Sequence, residues 1–311
     1  MALGTNHNTN LDLAASIPEI WGQQINDYFR YNLKLAAFFI DRSDELSEGG
    51  AYIHTPGLAA LTVSTKSNQA QVTLSSPVQT DVTLTVSTWD EASFVIEDRE
   101  MAQLKKSYYM QEKIAKGAAW EVAQNLEATI ATLFLGLNGQ TALGNGTTNM
   151  SDSSLLAAMA ALETTGVPLY TGEAAWILHP NTFYRQIGIV DKLTLWQNTN
   201  TELPRAKAPT PMLYGIPVIV TPEVPLGTGI AAEAGARLNL LAHKDTFHWA
   251  RMSMPVKAAM GFVGSEGVRV QQSYVHEYLG DLVTIDLCYG VVENRDDSAV
   301  KLRSHSTAQG F

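Results

Sequence analysis

The chain has 311 residues and a formal net charge of -10, and 17% of its residues are charged. Soluble proteins carry about 25% charged residues, so the low fraction indicates that much of the surface faces protein, as in an obligate assembly. The acidic balance argues against a nucleic-acid-binding module, because such modules obtain most of their affinity from basic side chains that contact phosphates. We therefore expect no sequence-specific contact with DNA.

The sequence contains one cysteine, Cys288, which excludes an intrachain disulfide bond and a cysteine-based zinc cluster. No apolar run approaches the roughly 18 residues that a membrane span requires. The N-terminal sequence MALGTNHNTN lacks the basic and apolar regions of a signal peptide. We expect a chain of cytoplasmic origin that is stabilised by packing, with no membrane, metal or cofactor.

The N-terminal residues predict a polar tail followed by a helix. Residues 1–15 are rich in Asn and Thr, a composition that favours disorder. A helix is predicted from Ser16, because Ser16 and Glu19 have the spacing of a capping box and Pro18 suits the first turn. Apolar residues then recur at three-to-four steps, as on one face of a helix: Ile17, Ile20, Trp21, Ile25, Tyr28 and Phe29.

Residues 49–89 predict a long β-hairpin. Only Lys66 and Asp81 are charged in this segment, and Thr, Ser, Val, Ala and Leu dominate it. Val82, Leu84 and Val86 alternate with hydroxyl side chains, as in a half-buried strand, and Gly and Pro pairs punctuate the segment. An isolated hairpin is marginally stable in water, and one so poor in charge exposes edges that invite pairing. We therefore expect it to lie against another surface.

The strongest periodic pattern predicts a helix from about residue 98 to about residue 137. At 1.5 Å per residue this helix would span roughly 55–60 Å, which is longer than a compact domain of this size needs and indicates a spine. An internal Gly117 lowers the helix propensity by about 1 kcal/mol relative to Ala. One apolar stripe follows the helix: Met101, Leu104, Tyr108, Ala115, Ala118, Val122, Leu126, Leu133 and Leu137.

The remainder of the chain predicts a mixed α/β region and a strand-rich end. The Gly/Asn-rich residues 137–149 mark a boundary, and Ser151 or Asp152 caps the helix that follows. A short helix is predicted from Pro180, and residues 198–212 form a polar loop with three prolines. Strands are predicted at residues 174–178, 216–220, 238–242, 268–273, 282–292 and 299–302. In the penultimate strand one apolar face is predicted: Val283, Ile285, Leu287, Tyr289 and Val291.

No catalytic, cofactor-binding or metal-ligating residue can be identified from the sequence. It contains no HExxH motif, no GxSxG elbow, no Walker A motif and no complete dinucleotide fingerprint. His243 and His248 are five residues apart, so a helix would not bring them to one face. A triad assembled from distant residues stays open as an alternative, and with it a soluble α/β enzyme.

The order of elements and three short motifs resemble the Hong Kong 97 capsid fold of tailed bacteriophages. Residues 17–21, IPEIW, look like the arm segment of many phage coat proteins. Residues 176–183, WILHPNTF, are similar to a strand-to-helix step in their axial domain. Residues 213–218, LYGIPV, look like a recurrent strand entry of the family. The resemblance covers nearly the whole chain and implies an α+β fold with a structural role.

The resemblance implies five parts in the chain. These are an N-terminal arm at 1–45, an extended β-hairpin loop at 46–90, a peripheral domain with the spine helix at 91–140, an axial domain at 141–263, and the C-terminal strands of the peripheral domain at 264–311. The loop at 198–210 would lie near the symmetry axis of a capsomer. Contacts between subunits are expected at nine residues: Trp21, Gly49, Gly50, Lys66, Val82, Leu84, Val86, Pro204 and Pro209.

Some members of the family crosslink a lysine of the extended loop to an asparagine of a neighbouring subunit. Lys66 and Asn294 are the counterparts in this sequence. That reaction also needs a buried catalytic acid, and no residue is recognisable as one, so we interpret Lys66 as a solvated lysine.

The function that the resemblance implies is that of a major capsid protein. Such a subunit assembles with itself into pentamers and hexamers of an icosahedral head that encloses double-stranded DNA. It would be assembled in the host cytoplasm and reside in the virion, with a separate scaffolding protein, a portal and, in some phages, a decoration protein as partners. An encapsulin, a nanocompartment shell of the same fold that encloses cargo enzymes, is the nearest alternative.

Overall fold

The computed structural model has an α+β architecture of two six-stranded sheets, each with helices on one face, and a separate two-stranded hairpin. It describes residues 33–46, 50–58, 61, 63–74, 76, 79–103, 107–186, 212–228, 235–255, 261–263 and 268–306. The helices are α1 (Leu35–Phe38), α2 (Asp98–Gln103), α3 (Ser107–Thr132) and α4 (Asp152–Thr164). The strands are β1 (Ile40–Asp41), β2 (Tyr52–Leu58), β3 (Gln79–Thr85), β4 (Thr88–Glu97), β5 (Leu143–Gly144), β6 (Ala174–Leu178), β7 (Met212–Leu213), β8 (Ile216–Val220), β9 (Ala236–His243), β10 (Phe247–Arg251), β11 (Gly261–Val263), β12 (Arg269–Val275), β13 (Gly280–Glu293) and β14 (Ala299–His305).

Strand β13 is the central strand of the first sheet. It pairs antiparallel with β4, with β12 and with β10, while β11 extends the sheet beyond β12 and β1 pairs parallel with β10. The predicted alternation along β13 is confirmed, because its odd-numbered apolar residues from Val283 to Tyr289 are buried in one cluster. We call the face that carries these residues the inner face of the first sheet.

Helix α3 covers the inner face. Val122, Leu126 and Ile130 of the helix pack in the same buried cluster as Ile285 and Tyr289 of β13. Each such side chain stabilises the fold by about 1.5–3 kcal/mol when it leaves water. The apolar stripe of the predicted spine therefore serves the core of the subunit.

The second sheet has the order β5-β14-β9-β6-β8-β7, and α4 packs on it. Strand β6 is buried along its whole length, since it lies between β9 and β8 and its side chains face cores on both sides. The predicted cap of α4 is confirmed, because the Ser151 side chain accepts a hydrogen bond from the Ser154 backbone N–H at 3.4 Å.

The predicted hairpin is confirmed, and its base packs on its own subunit. Strands β2 and β3 pair in register from Tyr52–Thr85 to Leu58–Gln79. Leu84, with 0% of its surface exposed, and Val86 lie in a buried cluster with Ala250 and Cys288, on the face of the first sheet opposite to α3. The side chains of Leu84 and Val86 are covered by their own chain, and their expected contact with a neighbouring subunit stays a prediction.

The end of the spine helix and the strand that precedes the helix differ from the sequence prediction. Helices α2 and α3 lie in the region predicted as one helix, on either side of residues 104–106, which are outside the described residues, and α3 ends at Thr132 before a 3-10 turn at Leu133–Leu135. At about 1.5 Å per residue, α3 is about 39 Å long. Strand β4, which pairs with β13 over ten residues, was not predicted at all.

The sheets group the strands differently from the ranges 141–263 and 264–311. Strand β10 belongs to the first sheet, although it lies within 141–263, and β14 belongs to the second, although it follows β13. The chain crosses between the sheets after β9 and again after β13, and the two crossings bond to each other. The Thr246 and Ser298 hydroxyls are 2.9 Å apart, and the Asn294 N–H donates to the Thr246 carbonyl at 2.9 Å. The domain ranges that the resemblance implies stay a prediction.

Four of the predicted contact residues lie outside the described residues, namely Trp21, Gly49, Pro204 and Pro209. The helix predicted from Ser16 and the polar loop at 198–210 lie there as well. These predictions remain predictions.

Candidate assembly surface

The hairpin extends beyond its base into residues that its own subunit leaves exposed. We call the described part of residues 61–76 the hairpin tip. It forms no strand, and Val63 and Leu74 expose 95% and 91% of their surface. Leu61 and Val72 are also largely exposed, so apolar side chains repeat along the tip. Lys66 is its one charged side chain and is exposed.

Polar contacts fix the two strands of the hairpin base. His54 Nδ1 lies 2.7 Å from the Asp81 carboxylate and 3.1 Å from the Thr83 hydroxyl across the pair of strands. Gly57 allows the strands to approach closely, because a Cβ there would lie 2.6 Å from the Thr80 hydroxyl oxygen. These contacts hold the two strands of the hairpin base together.

The outer face of the first sheet is covered only in part. Near the hairpin base, Cys288 and Ala250 are buried beneath Leu84 and Val86. Further along β4 and β13, every second side chain points away from the core, and these residues belong to none of the buried clusters. We call this part the open sheet face, and define it as Trp89, Ser93, Val95, Leu282 and Thr284.

A buried ion pair holds Trp89 on the open sheet face. Asp286, with 1% of its surface exposed, accepts hydrogen bonds at 2.8 Å from Arg269 Nε and at 2.8 Å from the indole N–H of Trp89. A second guanidinium N–H of Arg269 donates to the same carboxylate at 2.5 Å. The hydrogen bond to Asp286 raises the pKa of Arg269, so the guanidinium stays charged. Trp89 itself is 61% exposed, so the bond fixes a large aromatic ring at the surface.

The polar groups on the inner face of the first sheet are bonded within the subunit. The Tyr289 hydroxyl donates to Asp90 at 2.8 Å, and the Asn125 amide donates to the same carboxylate oxygen at 2.7 Å. Burial raises the pKa of Tyr289 to about 12, with a further rise from the hydrogen bond to Asp90. These contacts fasten α3 to the sheet.

The described end of the arm is also fastened to α3. The carboxylate of Glu127 is buried and accepts the Ala36 backbone N–H at 2.9 Å. Burial raises the pKa of Glu127, and hydrogen bonds from backbone N–H groups of the arm act against that rise. The Trp249 indole N–H donates to the Ala36 carbonyl at 2.9 Å. These contacts fix the described end of the arm on the helix side of the first sheet.

A pair of carboxyl groups lies where β13 ends. Burial raises the pKa of Glu293 to about 7, and the neighbouring Asp296 adds to the rise, while Lys301 lowers it. Asp296 also accepts the Asn138 backbone N–H at 2.7 Å, which ties the turn after α3 to the crossing between the sheets. Burial at this junction therefore raises the pKa of one carboxyl group to near neutrality.

The remaining predicted contact residues are distributed along the hairpin. Gly50 begins it with a φ of +135°, a left-handed conformation that favours glycine. Val82 is half-buried in β3, and Lys66 is exposed in the tip. The structure does not bring Lys66 and Asn294 together within the subunit, and the Asn294 amide already donates to the Asp245 carbonyl at 3.2 Å.

The sequence analysis did not predict that Trp89 is an exposed residue of a strand, because Trp89 was interpreted as the end of the hairpin loop. The available signal was alternation: Trp89, Glu91, Ser93, Val95 and Glu97 are exposed, and the residues between them are not. That period of two identifies a half-buried strand.

The described residues contain no group of three or more His, Cys, Asp or Glu side chains arranged to hold a metal ion. Of the helices in the described part of the chain, none is both long and apolar enough to cross a membrane.

No family model matches the sequence, and no curated protein is significantly similar to it. Solved structures of phage particles are similar in fold over almost the whole chain. The capsid structure of cyanophage P-SCSP1u matches with a TM-score of 0.69 and 15% identity, over 98% of this chain and 97% of the other. A chain of Mycobacterium phage Che8 matches with a TM-score of 0.67 and 16% identity, over 92% and 96%. The mature capsid of bacteriophage PhiM1 matches with a TM-score of 0.66 and 13% identity, over 92% and 91%. The chain therefore has the Hong Kong 97 fold of phage capsid subunits, as the sequence resemblance implied.

Proposed function

We propose that the chain is the major capsid protein of a tailed bacteriophage, which assembles with itself into capsomers and a closed shell around DNA. The observation that carries this proposal is the similarity in fold to phage capsid structures over nearly the full length of both chains. Fold alone does not determine function, so the proposal also needs a surface that is suited to assembly.

The hairpin tip provides such a surface. Apolar side chains of the tip, such as Val63 and Leu74, are left almost fully exposed by the described part of the subunit. Contiguous exposed apolar surface is typical of protein–protein interfaces. In a closed symmetric shell the same contact is repeated around every capsomer, so a modest energy per contact becomes decisive for the particle.

The charge of the chain fits a container for DNA. A net charge of -10 disfavours tight binding to phosphates, because that binding depends on Lys and Arg. A shell with a net negative charge can enclose DNA without binding particular sequences, and it does not oppose release of the DNA.

Other partners of the assembly follow from the same proposal. The N-terminal segment before residue 33 would act as an arm between subunits, and the loop at 198–210 would lie near the capsomer axis. A separate scaffolding protein, a portal and, in some phages, a decoration protein would complete the particle. Assembly in the host cytoplasm would precede residence in the virion.

The proposal is tested by replacing residues 61–75 with a Gly/Ser linker of the same length. We expect the variant to fold, since both sheets and α3 keep their cores, and to form no shells. Circular dichroism melting reports folding, and sedimentation with electron microscopy reports particles. As the control, the exposed residues Pro168, Tyr170 and Thr171 in the turn after α4 are exchanged for Gly or Ser.

Two outcomes would overturn the proposed role of the tip. Shells of normal stability from the linker variant would show that the tip bridges nothing, and a variant that cannot fold would place the tip in the core of its own subunit. If the unmodified chain forms only small oligomers under all assembly conditions, the capsid function itself is wrong.

A further inference from the structure

We propose that Asn145, in the turn between β5 and α4, is a site of spontaneous covalent modification, at which the side-chain amide is lost as ammonia and the residue becomes aspartate or isoaspartate in the folded chain. The inference goes beyond the proposed function and does not depend on it, because the chemistry requires only this chain and water.

The chain contains two Asn-Gly pairs, Asn138-Gly139 and Asn145-Gly146, and both lie in the Gly/Asn-rich stretch between the spine and α4. An asparagine that precedes glycine is the most reactive in deamidation, because glycine has no side chain to hinder the approach of its backbone nitrogen. Both asparagines are exposed, so sequence and exposure do not distinguish them. The contacts of the two pairs do distinguish them.

The reaction proceeds through a cyclic succinimide. The backbone nitrogen of Gly146 attacks Cγ of Asn145 and loses its proton, and the side-chain nitrogen takes up that proton and leaves as ammonia. Water then opens the ring. Attack of water at the side-chain carbonyl gives aspartate, and attack at the main-chain carbonyl gives isoaspartate, in which the main chain continues through the former side chain. No oxidant or other reagent is consumed.

The turn at Asn145 holds the side chain in a position that favours this attack. The side-chain carbonyl oxygen of Asn145 accepts the Thr147 backbone N–H at 3.2 Å, so the amide is turned toward the residues that follow it. This hydrogen bond polarises the carbonyl group and stabilises the negative charge that its oxygen acquires in the transition state. Within the described residues the backbone N–H of Gly146 forms no hydrogen bond, so no contact has to break before it reacts.

Asn138 is held in a way that opposes the same attack. Its side-chain amide nitrogen donates to the Gly136 carbonyl at 3.3 Å, so the amide is turned back along the chain. Its backbone N–H donates to the Asp296 carboxylate at 2.7 Å. Gly139 packs against the peptide between Asp296 and Asp297, since a Cβ on Gly139 would lie 2.6 Å from the Asp296 carbonyl carbon. These contacts resist the backbone rotation that would bring the nitrogen of Gly139 to the side chain of Asn138.

Modification at Asn145 changes one edge of the second sheet. The Thr148 N–H donates to the Asn145 carbonyl at 3.3 Å, and the Thr148 carbonyl accepts the His305 N–H at 3.0 Å, so the turn ties the end of β14 to the chain before α4. Isoaspartate adds a carbon atom to the main chain and converts the carbonyl that Thr148 binds into a free carboxylate. We therefore expect the bond between Thr148 and His305 to weaken as the chain ages.

Incubation of the folded full-length chain at mildly alkaline pH tests the site. Mass spectrometry of peptides measures the exchange of NH2 for OH at each Asn-Gly pair, and chromatography separates aspartyl from isoaspartyl peptides. We expect Asn145 to be converted about tenfold or more faster than Asn138, which serves as the matched control within the same chain. In denaturant both pairs should be converted at similar rates.

Three results would overturn the assignment. The first is conversion of Asn138 in the folded chain as fast as that of Asn145, and the second is protection of both. The third is a preference for Asn145 that persists unchanged in denaturant, since the sequence and not the turn would then be its cause.

Two variants test the consequence for the sheet edge. Asn145→Gln keeps an amide but places it one bond further from the main chain, where cyclisation is slower, and Asn145→Asp adds the charge without lengthening the main chain. After the same incubation, hydrogen exchange at the His305 N–H should be several-fold faster in the parent chain and unchanged in Asn145→Gln. Fresh Asn145→Asp should exchange like the fresh parent chain. Equal exchange in aged parent and aged Asn145→Gln would contradict loosening of the edge, and fast exchange in fresh Asn145→Asp would contradict the role of the isoaspartyl main chain.

Discussion

The two faces of the first sheet are covered by different parts of the molecule. Helix α3 and the end of the arm cover the inner face completely along β13, from Val283 to Tyr289. The outer face is covered by the hairpin base near Cys288 and is open from Trp89 to Leu282. The described residues therefore bury one face of the sheet and only part of the other, so folding of the subunit alone does not account for the apolar side chains that stay exposed.

The base and the tip of the hairpin also differ in whether their apolar side chains are buried or exposed. Its base and its tip have similar compositions of Thr, Ser, Val and Leu, yet Leu84 is fully buried and Val63 is almost fully exposed. Composition therefore does not decide which apolar residues belong to the subunit and which belong to the assembly. Their position relative to the outer face decides it.

The largest expected loss of stability comes from placing a charge in the core between the inner face and α3. Leu126→Asp buries an unpaired carboxylate in the core between α3 and β13, and should cost more than about 4 kcal/mol of the free energy of unfolding. Denaturant unfolding of the unassembled chain measures this cost, with the exposed Ile114→Asp of the same helix as the control. Soluble, assembled Leu126→Asp particles would contradict the role given to the spine.

The inner face is also the part of the fold that the sequence predicted best. The period of two along β13 and the apolar stripe on α3 are local patterns imposed by one continuous core, and both are present in the structure. The outer face was predicted poorly. Strand β4 was hidden because its alternation includes Trp89, Glu91 and Glu97, which have little in common except that they face outward.

A smaller loss is expected where the outer face is covered. Leu84→Ala removes a fully buried side chain from the contact between the hairpin base and the sheet, and should destabilise the subunit by about 2–5 kcal/mol. Val63→Ala in the tip is the matched change at an exposed site and should alter stability by less than about 0.5 kcal/mol. Equal losses at both sites would remove the distinction between base and tip.

Non-local packing explains what else the sequence could not show. Leu84 and Val86 belong to the core because Ala250 and Cys288, more than 160 residues later in the chain, lie beneath them. The sheet membership of β10 and β14 likewise depends on crossings that bond to one another through Thr246 and Ser298. No pattern within a window of sequence records either contact.

The carboxyl group at the end of the inner face should make stability depend on pH. The folded-state pKa of Glu293, about 7, is higher than the ordinary value of 4.5, so the folded chain favours the protonated form. This contribution is fully present below about pH 4.5 and is lost as the pH rises through about 7. We expect Glu293→Gln to flatten the fall in melting temperature between pH 5 and pH 8 that the parent chain shows. A fall of equal steepness in both chains would exclude Glu293 as its cause.

The smallest expected effect is at Cys288, on the boundary between the covered and open parts of the outer face. Its thiol is buried beside Ala250, and burial raises the pKa of that thiol, with a further rise from Asp286, so it behaves as a small apolar group. Cys288→Ala should therefore cost about 1 kcal/mol or less and leave particle formation unchanged. Cys288→Asp is the contrasting variant, because it would place a second carboxylate beside Asp286 under the hairpin base and should release that base from the sheet. If Cys288→Ala alone abolished particles while the subunit stayed folded, the covered part of the outer face would itself take part in assembly, and the boundary drawn between folding and assembly would have to move toward the hairpin.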